Sequence, residues 1–156
     1  MNFTAHIAVG SAVGFATKNP YLGFAAGMIS HQVIDAIPHI DPGSIGANSE
    51  NIFKNKPALI WVFTDIIIGI SLFWFILNQL DFASFVLWGA IGGISTDVID
   101  NSPFWSKKLC VIFPFNHFHF IHEKIHYTIE NKKYFWVGIL TQLILIFASL
   151  FFMFNF

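Results

Sequence analysis

The chain of 156 residues has no arginine, one cysteine and few charges of either sign. The single Cys110 excludes an intramolecular disulfide and any thiolate metal cage. It reads as a small buried apolar residue. Charged residues make up 11% of the chain, against roughly 25% in soluble domains. The formal net charge is −1, so there is no electrostatic case for nucleic acid. The opening stretch MNFTAHIAVG carries no basic n-region, so a cleavable signal peptide is not expected.

What fills the chain instead is apolar: 55% hydrophobic and 18% aromatic residues, with mean hydropathy +0.64. Residues 58–80 form an apolar run with a single charge, about 34 Å long as a helix and sufficient for a bilayer core. Residues 134–156 contain no charge, and residues 82–99 are a third apolar segment with Asp97 near its end. Earlier, residues 5–16 and 21–37 read as two short apolar helices joined by a turn at TKNP. Gly10 and Gly14, then Gly23 and Gly27, have the spacing that lets helix backbones approach closely. Residues 38–57 read as a polar loop, and residues 101–133 as a mixed segment. The expected fold is therefore all-α: a polytopic membrane helical bundle of about five membrane helices, plus an interfacial histidine-bearing helix, in one domain spanning 1–156.

The chain also repeats itself. Residues 27–38, GMISHQVIDAIP, and 92–103, GGISTDVIDNSP, agree at seven of twelve positions. This marks an internal duplication, with repeat one at about 4–43, repeat two at about 58–127, and a C-terminal span at 134–156. Each copy ends in Asp, two residues, then Pro, so each helix should stop there. Asp35 and Asp100 are then expected at equivalent depth, in helices running the same way. If five helices cross, seven of the eight lysines share one face with the N-terminus, loop 38–57 and segment 101–133. The positive-inside rule makes that face cytoplasmic and places the C-terminus outside, for a multi-pass protein of the inner membrane.

All seven histidines and five of the six aspartates fall on that same side. His31 and Asp35 are i,i+4, and Asp97 and Asp100 are i,i+3, so each pair shares a helix face. Read as a helix, residues 116–130 bring His119, His122, Glu123, His126 and Glu130 within about 100° of one another, with Phe118, Ile121 and Ile125 opposite. His117 points elsewhere. Carboxylates near the hydrocarbon are expensive and usually face a functional interior. Imidazole with carboxylate is a ligand set for a divalent metal, zinc first, with manganese or iron as alternatives. Each residue also has an ordinary structural explanation: helix ends in interfacial water, a structural His6, turn chemistry at His39 and Asp41. Their coincidence on one face is what favours a site. The candidate metal ligands are His6, His31, Asp35, Asp97, Asp100, His119, His122 and His126. Asp65 is expected to orient a ligand histidine. HEKIH at 122–126 also matches H-E-x-x-H, in which two histidines bind zinc and the glutamate, here Glu123, is the general base.

The order of an early TAH, SHQVIDAIPHID, GAIGGISTDVID and a His-x-x-x-His segment resembles the bacterial inner-membrane proteins called membrane-bound predicted metal-dependent hydrolases. These are similar to zinc-dependent phospholipase C. The resemblance covers most of residues 4–127. In it, His6 matches the early histidine and Asp97 the first acid after the glycine-rich helix. Thr96 stands where that family has proline, and Asp100 falls one residue late. His122 and His126 stand in for the late histidines, with Glu123 replacing a basic residue. The resemblance implies a membrane-embedded, divalent-metal-dependent hydrolase acting on phosphoester bonds of a lipid-like substrate, with membrane lipid as its surroundings. A membrane metalloprotease and a non-catalytic metal-binding or structural protein are the alternatives. The oligomeric state is left open.

Overall fold

The computed structural model describes all 156 residues and is all-helical, with seven α-helices and no strand. The helices are α1 (Phe3–Thr17), α2 (Pro20–Asp35), α3 (Lys56–Gln79), α4 (Ser84–Asp100), the single turn α5 (Ser106–Leu109), α6 (Phe115–Ile125) and α7 (Phe135–Asn155). Local chemistry sets several of these boundaries. Asn19 accepts hydrogen bonds from the Tyr21 and Leu22 backbone N–H groups, and Pro20 opens α2. Asn55 caps α3 through the Ala58 N–H. Such caps satisfy the donors that a helix start leaves without partners.

Two helices are long and apolar enough to cross a membrane: α3, and α7 with the turn that precedes it from Lys132. Both turn large apolar side chains outward, including Ile60, Phe63 and Trp74 on α3 and Trp136, Phe147 and Phe151 on α7. The sequence expectation of about five spans is not met by length. Helices α1, α2 and α4 have 15, 16 and 17 residues, about 22–26 Å at 1.5 Å per residue and short of a hydrocarbon core of about 30 Å.

These three short helices form the centre of the molecule, and glycine is the reason they can. A Cβ on Gly10 would come within 2.6 Å of the Gly89 carbonyl oxygen, and one on Gly27 would clash with the same oxygen. Backbone therefore packs on backbone at this three-helix seam. The contacts also fix direction. Gly23 meets Phe85 and Gly27 meets Gly89 and Gly93, so α2 and α4 run parallel. Gly14 meets Phe85 and Gly10 meets Gly89, so α1 runs antiparallel to both. The duplicated segments thus share one direction, and the start of α1 lies beside the ends of α2 and α4.

Segment 101–133 departs from one expectation. The helix read over 116–130 stops at Ile125, and His126 is extended. The following residues pair with the loop after α2: Tyr127 N–H donates to Asp35 O (2.9 Å), His39 N–H to Tyr127 O (3.3 Å) and Ile129 N–H to His39 O (2.8 Å). Tertiary hydrogen bonding outcompetes continuation of the helix. The apolar side of α6 is as the periodicity predicts, with Phe118, Ile121 and Ile125 exposed and His122 buried.

Candidate metal centre

One turn into α1, His6 stacks on His31 from the last turn of α2, with ring centroids 3.9 Å apart. The His31 Nδ1–H donates to the Gly93 carbonyl at 2.7 Å, an approach permitted by the bare backbone of α4. A carbonyl only accepts, so the proton sits on Nδ1 and Nε2 keeps its lone pair. That lone pair nevertheless faces Asp35 Oδ2 at 3.1 Å and Asp97 Oδ1 at 3.7 Å. His6 Nε2 faces the same two carboxylates, Asp35 Oδ1 at 3.3 Å and Asp97 Oδ2 at 3.5 Å. Both histidines are buried, and neither Nε2 makes a hydrogen bond. Leaving such groups unpaired costs about 1–3 kcal/mol each. Acceptors turned toward acceptors are relieved by a proton or a metal ion between them.

His122, brought in by α6, completes the cluster. Its Nε2 lies 3.1 Å from Asp35 Oδ2, and its Nδ1–H donates to Asp100 Oδ2 at 2.6 Å. Burial pushes this imidazole down, but hydrogen bonds to Asp100 and Asp35 outweigh it and raise the pKa to about 9. Ligand atoms of His31, Asp35, Asp97 and His122 lie within 4.8 Å of one another, close enough to hold one metal ion.

Asp100 sits behind these groups. Besides holding His122, its Oδ1 accepts from His119 Nδ1–H at 2.7 Å and from the Cys110 thiol at 3.0 Å. This is the carboxylate–histidine arrangement that fixes a metal ligand's tautomer from behind. Asp100, Cys110 and His119 also form a ligand-sized group of their own. Cys110 is not the plain apolar residue expected: it is half-buried and donates to a carboxylate. Burial and that carboxylate push its thiol up to about 12, so in the metal-free protein it is a thiol that donates to Asp100.

The remaining candidates separate clearly. His126 stands at the edge, 3.8 Å from Asp35 Oδ2. Glu123 turns outward with a side chain 69% exposed, and its nearest cluster contact is His119 Nε2 at 3.6 Å. The helical stripe that grouped Glu123 with the histidines holds only for His119, His122 and Glu123, since α6 ends at Ile125, and of these His122 reaches the cluster. His117 is exposed and bonded to Asn116, as expected. Asp65 orients no histidine. It accepts from Phe3 N–H (2.6 Å), Thr4 N–H (3.2 Å) and the Thr4 hydroxyl (2.6 Å), so it caps α1 and thereby fixes the helix that carries His6. His39 and Asp41, read from sequence as turn residues, are buried at the edge of the cluster. Their signal was the PHID stretch just after Asp35, which has no counterpart after Asp100.

Charge balance points the same way. Asp35, Asp41, Asp97 and Asp100 gather here, and no lysine reaches them; the one lysine ion pair in the structure is Lys107 with Glu50. The fixed cation present is the Met1 α-ammonium, which donates to Asp35 Oδ1 at 2.6 Å. Buried carboxylates without cationic partners are strongly disfavoured unless a metal or protons compensate.

Comparison with protein-family models gives no match, and comparisons with curated proteins and with solved structures give none either.

Proposed function

We propose that this chain is a multi-pass membrane protein whose His/Asp cluster holds a catalytic divalent metal, zinc by ligand type. Its activity is hydrolysis of a phosphoester bond in a lipid-like substrate. On this reading the short helices α1, α2 and α4 lie tilted, with α3 and α7 packed against α1, and the cluster opens at the cytoplasmic face of the inner membrane. The observation that carries the proposal is the pair of buried imidazoles, His6 and His31, whose Nε2 atoms face the same two carboxylates, Asp35 and Asp97, without a hydrogen bond. The motif resemblance to membrane-bound predicted metal-dependent hydrolases agrees with it.

His6, His31, Asp35, Asp97 and His122 would hold the ion. Bound there, it would lower the pKa of a coordinated water and polarise the ester. Asp97 is the most accessible carboxylate of the cluster, at 22% against 0% for Asp35 and 7% for Asp100. It is therefore the group to take the proton of the attacking water, as the new oxygen–phosphorus bond forms and the bond to the leaving alcohol breaks. The same proton then goes to the leaving oxygen. Glu123 is too exposed for the corresponding role in a metalloprotease. The exposed Phe118, Phe120 and Ile121 of α6 beside the cluster suit a substrate with an acyl tail.

The test is elemental analysis of the detergent-purified chain, together with hydrolysis of phospholipid in mixed micelles. Wild type should retain metal and release product, chelation should stop the reaction, and His31→Ala should lose both metal and turnover. Protein that takes up no divalent ion would overturn the reading.

A further inference from the structure

Beside the cluster of His6 and His31 lies a second set of buried acceptors with the same wiring. The His39 Nδ1–H donates to the Ile37 carbonyl at 2.8 Å, so its Nε2 carries the lone pair, just as in His31. The Thr128 hydroxyl donates to Asp41 Oδ2 at 2.9 Å, so its oxygen is left to accept from His126 Nδ1–H at 3.1 Å. That assigns the His126 lone pair to Nε2 as well. Three acceptors then meet: His39 Nε2 lies 3.3 Å from His126 Nε2 and 3.3 Å from Asp41 Oδ2, and His126 Nε2 lies 3.2 Å from Asp41 Oδ2. A tetrahedral zinc with bonds of about 2.0–2.1 Å has ligand–ligand edges of about 3.3–3.4 Å. The triangle has the size of one face of such a site. Asp35 stands on its remaining side, with ligand atoms of Asp35, His39 and His126 within 4.8 Å of one another; the Met1 α-ammonium, 2.6 Å from Asp35 Oδ1 and 3.4 Å from His126 Nε2, lies there and would give way to the ion.

We infer that the chain holds two divalent cations, the second bound by His39, Asp41 and His126, with Asp35 shared between the two. The inference rests on the metal-centre reading above and extends it. Its frame is rigid: the loop carrying His39 and Asp41 and the segment carrying His126 and Thr128 are tied by the backbone hydrogen bonds from Tyr127 and Ile129, and the Asp41 side chain also caps its own turn through Gly43 N–H. A carboxylate shared between two ions is the arrangement of phosphoesterases that clamp attacking and leaving oxygens together.

Full-length protein in detergent, stripped with chelator and refilled with Zn²⁺, should bind two ions per chain by elemental analysis. Asp41→Asn and His39→Gln should each bind one. Refilled with Mn²⁺, wild type should give the spin-coupled paramagnetic spectrum of neighbouring ions, and Asp41→Asn the six-line spectrum of an isolated one. Circular dichroism at wild-type helicity qualifies each variant as folded, and the two variants touch different ligands. One ion in wild type, or two retained in both variants, overturns the second position and leaves the first intact. No ion in wild type overturns both readings.

Discussion

The two copies of the duplicated segment share a backbone and divide the chemistry. In each, a serine bonds back to the same glycine, Ser30 to Gly27 O at 2.8 Å and Ser95 to Gly92 O at 2.7 Å. In each, the helix ends on an aspartate beside the cluster. The inward line nevertheless runs through His31 and Asp35 in α2, and through Gly93 and Asp97 in α4. In the register of the repeat, this line is one residue later in α4 than in α2. Asp35 consequently lies at the heart of the cluster with no exposed side chain, while Asp100 braces His119 and His122 from behind. One imidazole, His122, joins the two equivalent carboxylates. Duplication reproduced the helix end, and a shift in helical phase set one copy's carboxylate inside the cluster and the other's behind it.

That asymmetry is tested most severely by making the same change in both copies. Asp35→Asn removes a buried charged ligand and should cost about 3–5 kcal/mol of binding, a fall of about two to four orders of magnitude in zinc affinity. Asp100→Asn leaves every ligand atom in place and should cost about 10–100-fold, the usual penalty for a supporting hydrogen bond to a ligand histidine. Competitive titration against a chromophoric chelator measures both. Equal losses would mean that both copies act as ligands in the same sense.

A smaller effect comes from the proton that His122 holds between the two aspartates. Its pKa of about 9, raised from an ordinary 6.5, stabilises the metal-free protein in full below pH 6.5, and that stabilisation fades as pH rises through 9. A metal must displace this proton, so the sign for binding is opposite: affinity should climb about tenfold per pH unit and level off near pH 9. In Asp100→Asn the plateau should begin at lower pH, because one of the two supporting carboxylates is gone. Zinc titrations across pH 6.5–9.5 follow both curves. A pH-independent affinity would place His122 outside the ligand set.

Much of this arrangement could be read from the chain. Long apolar runs announce α3 and α7 because nothing polar interrupts them, and the repeat announces parallel α2 and α4 because each copy carries its own stop signal. The convergence of His6, His31, Asp35, Asp97 and His122 followed from placing their helix ends on one face. The rest depended on contacts that no local pattern carries. Asp65 became a cap because α3 passes the start of α1. His126 left the helix because Tyr127 found the Asp35 carbonyl, and Glu123 lost its assigned role because periodicity fixes a face but not which edge of it meets the site. His39 and Asp41 sit in a loop, where spacing says nothing of distance, and only the pairing of that loop with residues 126–129 reveals them.

The mildest comparison concerns the positions of the repeat where His31 and Thr96 stand. Because the inward line of α4 runs through Asp97, Thr96 falls beside that line, and it helps line a small cavity of about 80 Å³ with Met28, Ile99, Asp100 and Phe118. Its hydroxyl is buried there without a hydrogen-bond partner. Thr96→Val keeps the shape and removes an unsatisfied polar group, so it should raise stability by about 1 kcal/mol and leave metal content at the wild-type value. Thermal unfolding in detergent and elemental analysis report the two quantities separately. Loss of metal in Thr96→Val would put Thr96 on the ligand side of α4 and erase the one-residue phase shift between the copies, because the equivalent positions of the repeat would then face the cluster alike.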